Sequence, residues 1–246
     1  MSLHVHLVPS LAGVDVGSTV TVEGAEAHHA VAVRRLAVGE PVLLTDGLGV
    51  VAECAVVETG KQRLVAEVVS LRSVPRPEPE VVVVQALPKG DRGELAVELL
   101  TEVGVARILP WAAARSVAVW RGDRATKSLA RWRTTAREAA KQARRSWFPE
   151  VAELATTGDV VELLAGASVG LVLHEEASSS LADVDLPTTG SVVLVVGPEG
   201  GIAPEELAAF AAAGAQAVRL GPEVLRTSTA GVAAVSAVLS RTARWR

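Results

Sequence analysis

The chain has 246 residues, about half of them apolar and 21% charged, which is enough to bury one large core or two modest ones and too apolar for wholesale disorder. A net charge of −4 does not by itself indicate nucleic acid, and the single cysteine, Cys54, excludes an intramolecular disulfide and any zinc site built on several thiolates. The histidines form no helical His-x-x-x-His pair, so no structural metal is expected. Met1 to Pro9 lacks a basic stretch followed by a long apolar run, and no run of about 18 uncharged apolar residues occurs, which reads as a soluble, cytoplasmic protein without a membrane segment.

Residues 1 to about 74 read as short strands and turns. Ser18 to Val22, Pro41 to Thr45, Val50 to Val57 and Arg63 to Leu71 are rich in β-branched residues and partly alternate. Asp46-Gly47 and Thr59-Gly60 punctuate them, and a short helix is expected over Ala25 to Leu36. The pattern suits a small β-barrel. Three prolines at alternate positions, Pro75, Pro77 and Pro79, then impose a stiff, extended connection, and the domain boundary is placed there.

After residue 80 the pattern changes. Val81 to Leu87 is a continuous apolar run, as expected of a strand buried on both faces. A helix is predicted at Glu94 to Val103, closed by Gly104. Between Arg107 and Arg145 eleven basic residues meet two acidic ones, so this zone carries +9 and the rest of the chain −13. Within it a long helix from Arg124 to Trp147 is predicted. Its apolar stripe (Leu129, Trp132, Ala136, Ala140, Ala143, Trp147) would face the core, and Arg133, Arg137, Lys141 and Arg144 would line a neighbouring face. Such a zone suits a phosphate-rich partner, and equally a solvated helix face beside acidic neighbours.

Further buried strands are predicted at Val169 to His174, Val192 to Val196 and Ala217 to Leu220. A helix from Pro204 to Gly214 and a last one from Thr227 to Ser240 alternate with them. Strands alternating with helices imply a mainly parallel α/β sheet. Two glycine-containing turns end such strands: Val196-Gly197-Pro198-Glu199-Gly200-Gly201, and Leu220-Gly221-Pro222 running on to Leu225-Arg226-Thr227. Ligands of open α/β sheets bind beyond the carboxyl ends of the strands, and glycine lets backbone approach a ligand closely. The alternative is that each turn is only a tight connection. The spacings of a Walker loop, a dinucleotide-binding G-x-G-x-x-G and a G-x-S-x-G elbow are all absent.

The first turn resembles the GPEGG signature of the knotted (SPOUT) RNA methyltransferases, and the second resembles their LGxxxLRTETA segment. Other matching pieces lie in the same order: His29 with Arg35, Leu87 to Arg92, Thr101 to Val105, Ala114 to Ser116, and Gln142 with Arg144 or Arg145. The chain is thereby similar, over nearly its whole length, to the RsmE family, which methylates N3 of uridine 1498 of 16S ribosomal RNA. Ser228 stands where that family often has Glu, Ala143 where it has a small polar residue, and Leu99 where Lys is common.

The resemblance implies a PUA-like β-barrel RNA-binding domain over residues 1–74. It implies a knotted S-adenosylmethionine-binding α/β domain over residues 80–246, a homodimer, and ribosomal RNA or the small subunit as partner. Leu173, His174, Val196, Gly197, Pro198, Gly200, Gly201, Leu220, Gly221, Leu225, Thr227 and Ala230 would hold the cofactor. Arg226 and Glu199 are the catalytic candidates. The alternatives are that Arg226 braces its loop through a salt bridge, that Glu199 stiffens its own turn, and that the Thr227 and Ser228 hydroxyls cap the last helix. His29, Arg34, Arg35, Lys89, Arg92, Arg133, Arg137, Lys141, Arg144 and Arg145 would contact RNA. Two rival readings stand beside this one: a SPOUT methyltransferase of another RNA site, and a non-catalytic RNA-binding assembly factor.

Overall fold

The structure, a computed structural model, describes residues 3–246. The chain divides into two compact units, residues 1–76 with 140–148, and residues 77–139 with 149–246.

In the first unit, β1 (Val5–Leu7), β2 (Thr19–Glu23), β3 (Pro41–Thr45), β4 (Val50–Thr59) and β5 (Arg63–Ser73) form one sheet in the order β1-β3-β4-β5-β2. Only the β1–β3 pair is parallel. Alternate residues such as Val20, Val22, Val42, Leu44, Cys54 and Val56 point into its core. The predicted helix after β2 is shorter than expected. Helix α1 (Gly24–His28) runs into a single π turn at His29–Val33, and Arg35 follows with φ 58°. Residues 146–148 return from far along the chain: Phe148 N–H donates to Gly47 O at 2.9 Å, and Gly49 N–H donates to Ser146 O at 2.9 Å. Gly49, at φ 102°, lies flat against the Trp147 ring, where any Cβ would stand 2.6 Å from it.

The second unit is built on six parallel strands in the order β11-β9-β10-β6-β7-β8. These are β6 (Glu80–Ala86), β7 (Arg107–Trp111), β8 (Glu150–Val151), β9 (Val169–Leu173), β10 (Ser191–Val196) and β11 (Gln216–Val218). Successive residues of β6 face opposite ways. Val81 and Val83 join one core with helices α2 (Arg92–Val103), α3 (Gly122–Gln142) and α6 (Thr227–Leu239). Val82 and Val84 join a second core with α4 (Thr157–Ala165) and α5 (Pro204–Ala212). Covering both faces is why the strand is apolar throughout.

Gly104 closes α2 at φ 105°, the left-handed residue that ends many helices. Pro110 is tolerated inside β7 because N–H and C=O of one strand residue face the same side. Its carbonyl accepts from Ala155 N–H at 2.8 Å, beyond the end of β8, so no ladder donor is missed. Helix α3 stops at Gln142 rather than Trp147. Arg144 takes φ 52°, its N–H bonds back to Lys141 O, and Arg145 N–H bonds to Ala140 O, which is a Schellman ending with arginine in the place glycine prefers. Ala143 and Trp147 therefore lie outside the helical stripe. The Trp147 indole instead donates to Val74 O at 2.8 Å. Trp132 is buried edge-on against Trp120, with ring centroids 5.0 Å apart. No helix among the described residues is long and apolar enough to cross a membrane.

Candidate functional site: a cavity at the carboxyl ends of three strands

Neighbouring strands β11, β9 and β10 end side by side, and the loops that leave them enclose a cavity of about 610 Å³. All twelve residues singled out for the cofactor line it. Leu173 and His174 follow β9. Val196 to Pro198, with Gly200 and Gly201, follow β10. Leu220, Gly221, Leu225, Thr227 and Ala230 follow β11. Glu199, Arg226 and Arg92 line it as well. Sequence reading passed over Glu175, Glu176, Glu223 and Arg219 on the same wall. Their signal was position alone, each within a few residues of a strand end.

The β10 loop is fixed by close approach. A Cβ on Gly197 would stand 2.7 Å from Ile202 Cγ1, and Gly201 sits at φ 74°. Glu199 reaches out of its turn to the loop before α2. Its Oε1 accepts the Lys89 backbone N–H at 3.2 Å and lies 3.7 Å from Arg92 Nη1. The carboxylate thus ties two loops together instead of stiffening its own. Arg115 Nη1 donates to Gly200 O at 3.4 Å from a third loop.

His174 accepts at Nδ1 from Glu176 N–H at 3.2 Å, so its ring proton belongs on Nε2 and Nδ1 is not free to take a proton from substrate. Arg226 is exposed at the start of α6 and has no ion pair among the described residues, which removes the loop-bracing alternative. Thr227 and Ser228 do not cap α6. Both are buried in its first turn, the N-cap position is Arg226, and no side chain caps it. The buried Gln85 side chain donates to Thr227 O at 3.4 Å from the end of β6. On the far face, buried Glu206 accepts from Ala114 N–H, Ala203 N–H and the Thr157 hydroxyl at 2.9, 3.1 and 3.0 Å.

The basic residues divide into two groups. Arg133 is held by Val151 O and Glu153, at 3.1 and 2.8 Å, and Lys141 by Glu26 at 2.6 Å. Arg34, Arg35, Lys89, Arg137 and Arg144 are exposed, while His29 and Arg145 are half-buried. Around the first unit's π turn, burial lowers the His29 pKa, with the charges of His6, Lys141 and Arg34 acting in the same direction.

Residues 75–239 match the family described as RNA methyltransferase domain, and residues 22–69 match the RNA methyltransferase PUA domain. The class is therefore that of RNA methyltransferases carrying a PUA domain ahead of an α/β domain.

Ribosomal RNA small subunit methyltransferase E of Mycobacterium bovis is 51% identical over 236 residues, covering 94% of this chain and 90% of its own. The Bacillus subtilis protein of the same name is 31% identical, covering 91% of each. Among solved structures, ribosomal RNA small subunit methyltransferase E from Neisseria gonorrhoeae, bound to S-adenosyl methionine, matches with a TM-score of 0.86 at 28% identity, over 97% of this chain and 98% of that one. A methyltransferase of Legionella pneumophila in complex with the same cofactor matches with a TM-score of 0.88 at 26% identity, over 98% and 99%. The chain belongs to the ribosomal RNA small subunit methyltransferase E family.

Proposed function

We propose that this protein transfers the methyl group of S-adenosylmethionine to N3 of a uridine in small-subunit ribosomal RNA, the family target being uridine 1498 of 16S RNA. The observation that carries the reading is the convergence of the three strand-end loops on one cavity in a chain half identical to a ribosomal RNA small subunit methyltransferase.

The residues present fit the cofactor. Leu173, Val196, Leu220, Leu225 and Ala230 offer apolar wall for its adenine and thioether parts, and Glu175, Glu176 and Glu223 offer negative charge to its cationic groups. A Cβ on Gly221 would meet only the flexible Glu223 carboxylate, at 3.6 Å. The fold does not demand glycine there, so bare backbone is better explained as room for a ligand. When bound, S-adenosylmethionine supplies a methyl group activated on a sulfonium. The chain itself must orient the nucleotide and stabilise the uracil N3 anion, and the unpaired Arg226 guanidinium on the rim, with Lys89 and Arg92 beside it, supplies the cationic groups for that task. Glu199, tied to Lys89 and Arg92, holds the facing loop in place.

RNA contacts come from Arg34, Arg35, Arg144, half-buried Arg145 and the His29 ring in the first unit, and from Arg137, Lys89 and Arg92 in the second. The reading includes a homodimer and a trefoil knot around the cavity.

The test is to incubate the protein with methyl-labelled S-adenosylmethionine and small subunits lacking the modification, then map methyl by reverse transcription. A polymerase stop beside one uridine, weakened at least 100-fold in rate by Arg226→Ala, is expected. Cofactor binding without transfer to any ribosomal RNA would favour a different substrate. No cofactor binding would leave the RNA-binding assembly factor.

A further inference from the structure

A second cavity, of about 560 Å³, adjoins the first and shares Arg92 and Glu199 with it. The remaining lining comes from Lys89, Gly90, Asp91, Leu95 and Val117. We infer that this cavity receives the target uracil and that the Asp91 carboxylate takes the proton from N3. The inference rests on the function proposed above.

Its shared wall is the first argument. A base in the smaller cavity lies next to a methyl donor in the larger one, since Arg92 and Glu199 line both spaces. The second argument is Asp91. It occupies the N-cap position of α2, where an aspartate ordinarily accepts an N–H of the first helical turn, yet it makes no such bond. Among the described residues its carboxylate has no hydrogen bond or ion pair, and neither does the Lys89 ammonium.

The third argument is chemical order. Lys89, Asp91 and Arg92 offer donor, acceptor and donor on one short loop. The pairing edge of uracil presents the complementary set: carbonyl O2, N3–H and carbonyl O4. Cytosine would turn an amino donor toward a cation and a bare N3 toward a carboxylate. Leu95 and Val117, 44% and 65% exposed, leave apolar surface for the faces of the ring.

In the step, N3 gives its proton to the Asp91 carboxylate, and its freed electron pair forms the bond to the methyl carbon. The carbon–sulfur bond breaks with its electrons passing to sulfur, which becomes a neutral thioether. Lys89 and Arg92 hold the charge that builds on O2 and O4 as the proton leaves, which makes a carboxylate a sufficient acceptor. Asp91 then returns its proton to water.

Asp91→Asn keeps the shape and an N-cap-competent side chain but cannot accept the proton. At pH 7 its kcat on unmodified small subunits is expected to fall about 100-fold. Its affinity for S-adenosylmethionine, read by calorimetry, stays within twofold of the unaltered protein. Raising the pH from 7 to 9 recovers most of the variant's loss and little changes the unaltered protein, because hydroxide replaces the missing acceptor. Asp91→Glu restores part of the rate at pH 7. A variant Asp91→Asn within threefold of normal kcat, or one that loses cofactor affinity in parallel with rate, overturns the inference. An unaltered protein that binds cofactor and methylates no uridine N3 instead overturns the function on which it rests.

Discussion

Glu26 sits within reach of the Lys141 ammonium and the His6 ring: its side chain is 24% exposed, that of Lys141 9% and that of His6 2%. Lys141 Nζ donates to one carboxylate oxygen at 2.6 Å and His6 Nδ1 to the other at 3.3 Å. Burial alone pushes the Glu26 carboxyl up. The two hydrogen bonds and the neighbouring charges outweigh it and bring the pKa from 4.5 down to about 2. At about 1.36 kcal/mol for each tenfold change in proton affinity, that is a stabilisation of about 3 kcal/mol. Residual solvent access reduces it to about 2 kcal/mol.

Because the folded value lies below the unfolded one, the stabilisation is complete above pH 4.5 and is lost as pH falls toward 2. Glu26→Gln removes it, because the neutral amide cannot offer Lys141 a charged acceptor at 2.6 Å. Hydrogen exchange of amides in β4 and β5 that open only on unfolding of the first unit reads the effect directly. At pH 7 the variant is expected to exchange about 30-fold faster there, with β6 and β10 of the second unit unchanged. At pH 3 the gap in free energy shrinks to less than half, and Lys141→Met in the same chain narrows it at pH 7 as well. A gap of equal size at both pH values, or none at pH 7, would refute the reasoning.

Expectations for three further variants follow from backbone geometry. Gly197→Ala drives a Cβ to 2.7 Å from Ile202 and must displace the β10 loop. It is expected to cost about 1–3 kcal/mol of stability and to weaken cofactor binding in calorimetry. Gly221→Ala, which meets no protein atom closer than 3.6 Å, is expected to weaken binding while leaving the melting temperature unchanged. Arg144→Gly relieves a left-handed arginine, worth about 1 kcal/mol, against a similar gain in unfolded-chain entropy. Stability should stay within about 0.5 kcal/mol, while RNA affinity falls and the logarithmic salt dependence loses about 0.7–0.9. Filter binding across a salt series reads both.

Much of this was legible because local chemistry and global placement agree. The uninterrupted valines of β6, the proline that opens α5 and Gly104 after α2 each obey one rule and need no tertiary partner to be interpreted. Strand β7 was hidden by Pro110, whose tolerance depends on β8 being too short to pair with it. Strand β8 has two residues and no periodicity to find. Helix α4 had a readable start in Thr156-x-x-Asp159, a reciprocal cap that the structure forms, yet its short apolar turn resembles a strand.

At the site, the glycine turns carried the ligand cavity, since each needs a residue type that sequence displays. Glu199 and Thr227 were harder. What each does is set by a partner more than a hundred positions away, Lys89 in one case and Gln85 in the other. Glu26 gave no sign at all, because a carboxylate beside a histidine ring and an ammonium 20 and 115 residues distant has no pattern in one dimension.

The return of residues 140–148 to the first unit bears on biosynthesis. A ribosome that has released the prolines after β5 has not yet released the strap that pairs with Gly47 and Gly49, nor Lys141 for Glu26. The N-terminal unit therefore waits, incomplete, while β6, α2, β7 and nearly all of α3 are translated. A fragment cut at the prolines would resemble that nascent state more than a finished domain. Recombination that moved this unit between proteins would have to carry two separate stretches of gene.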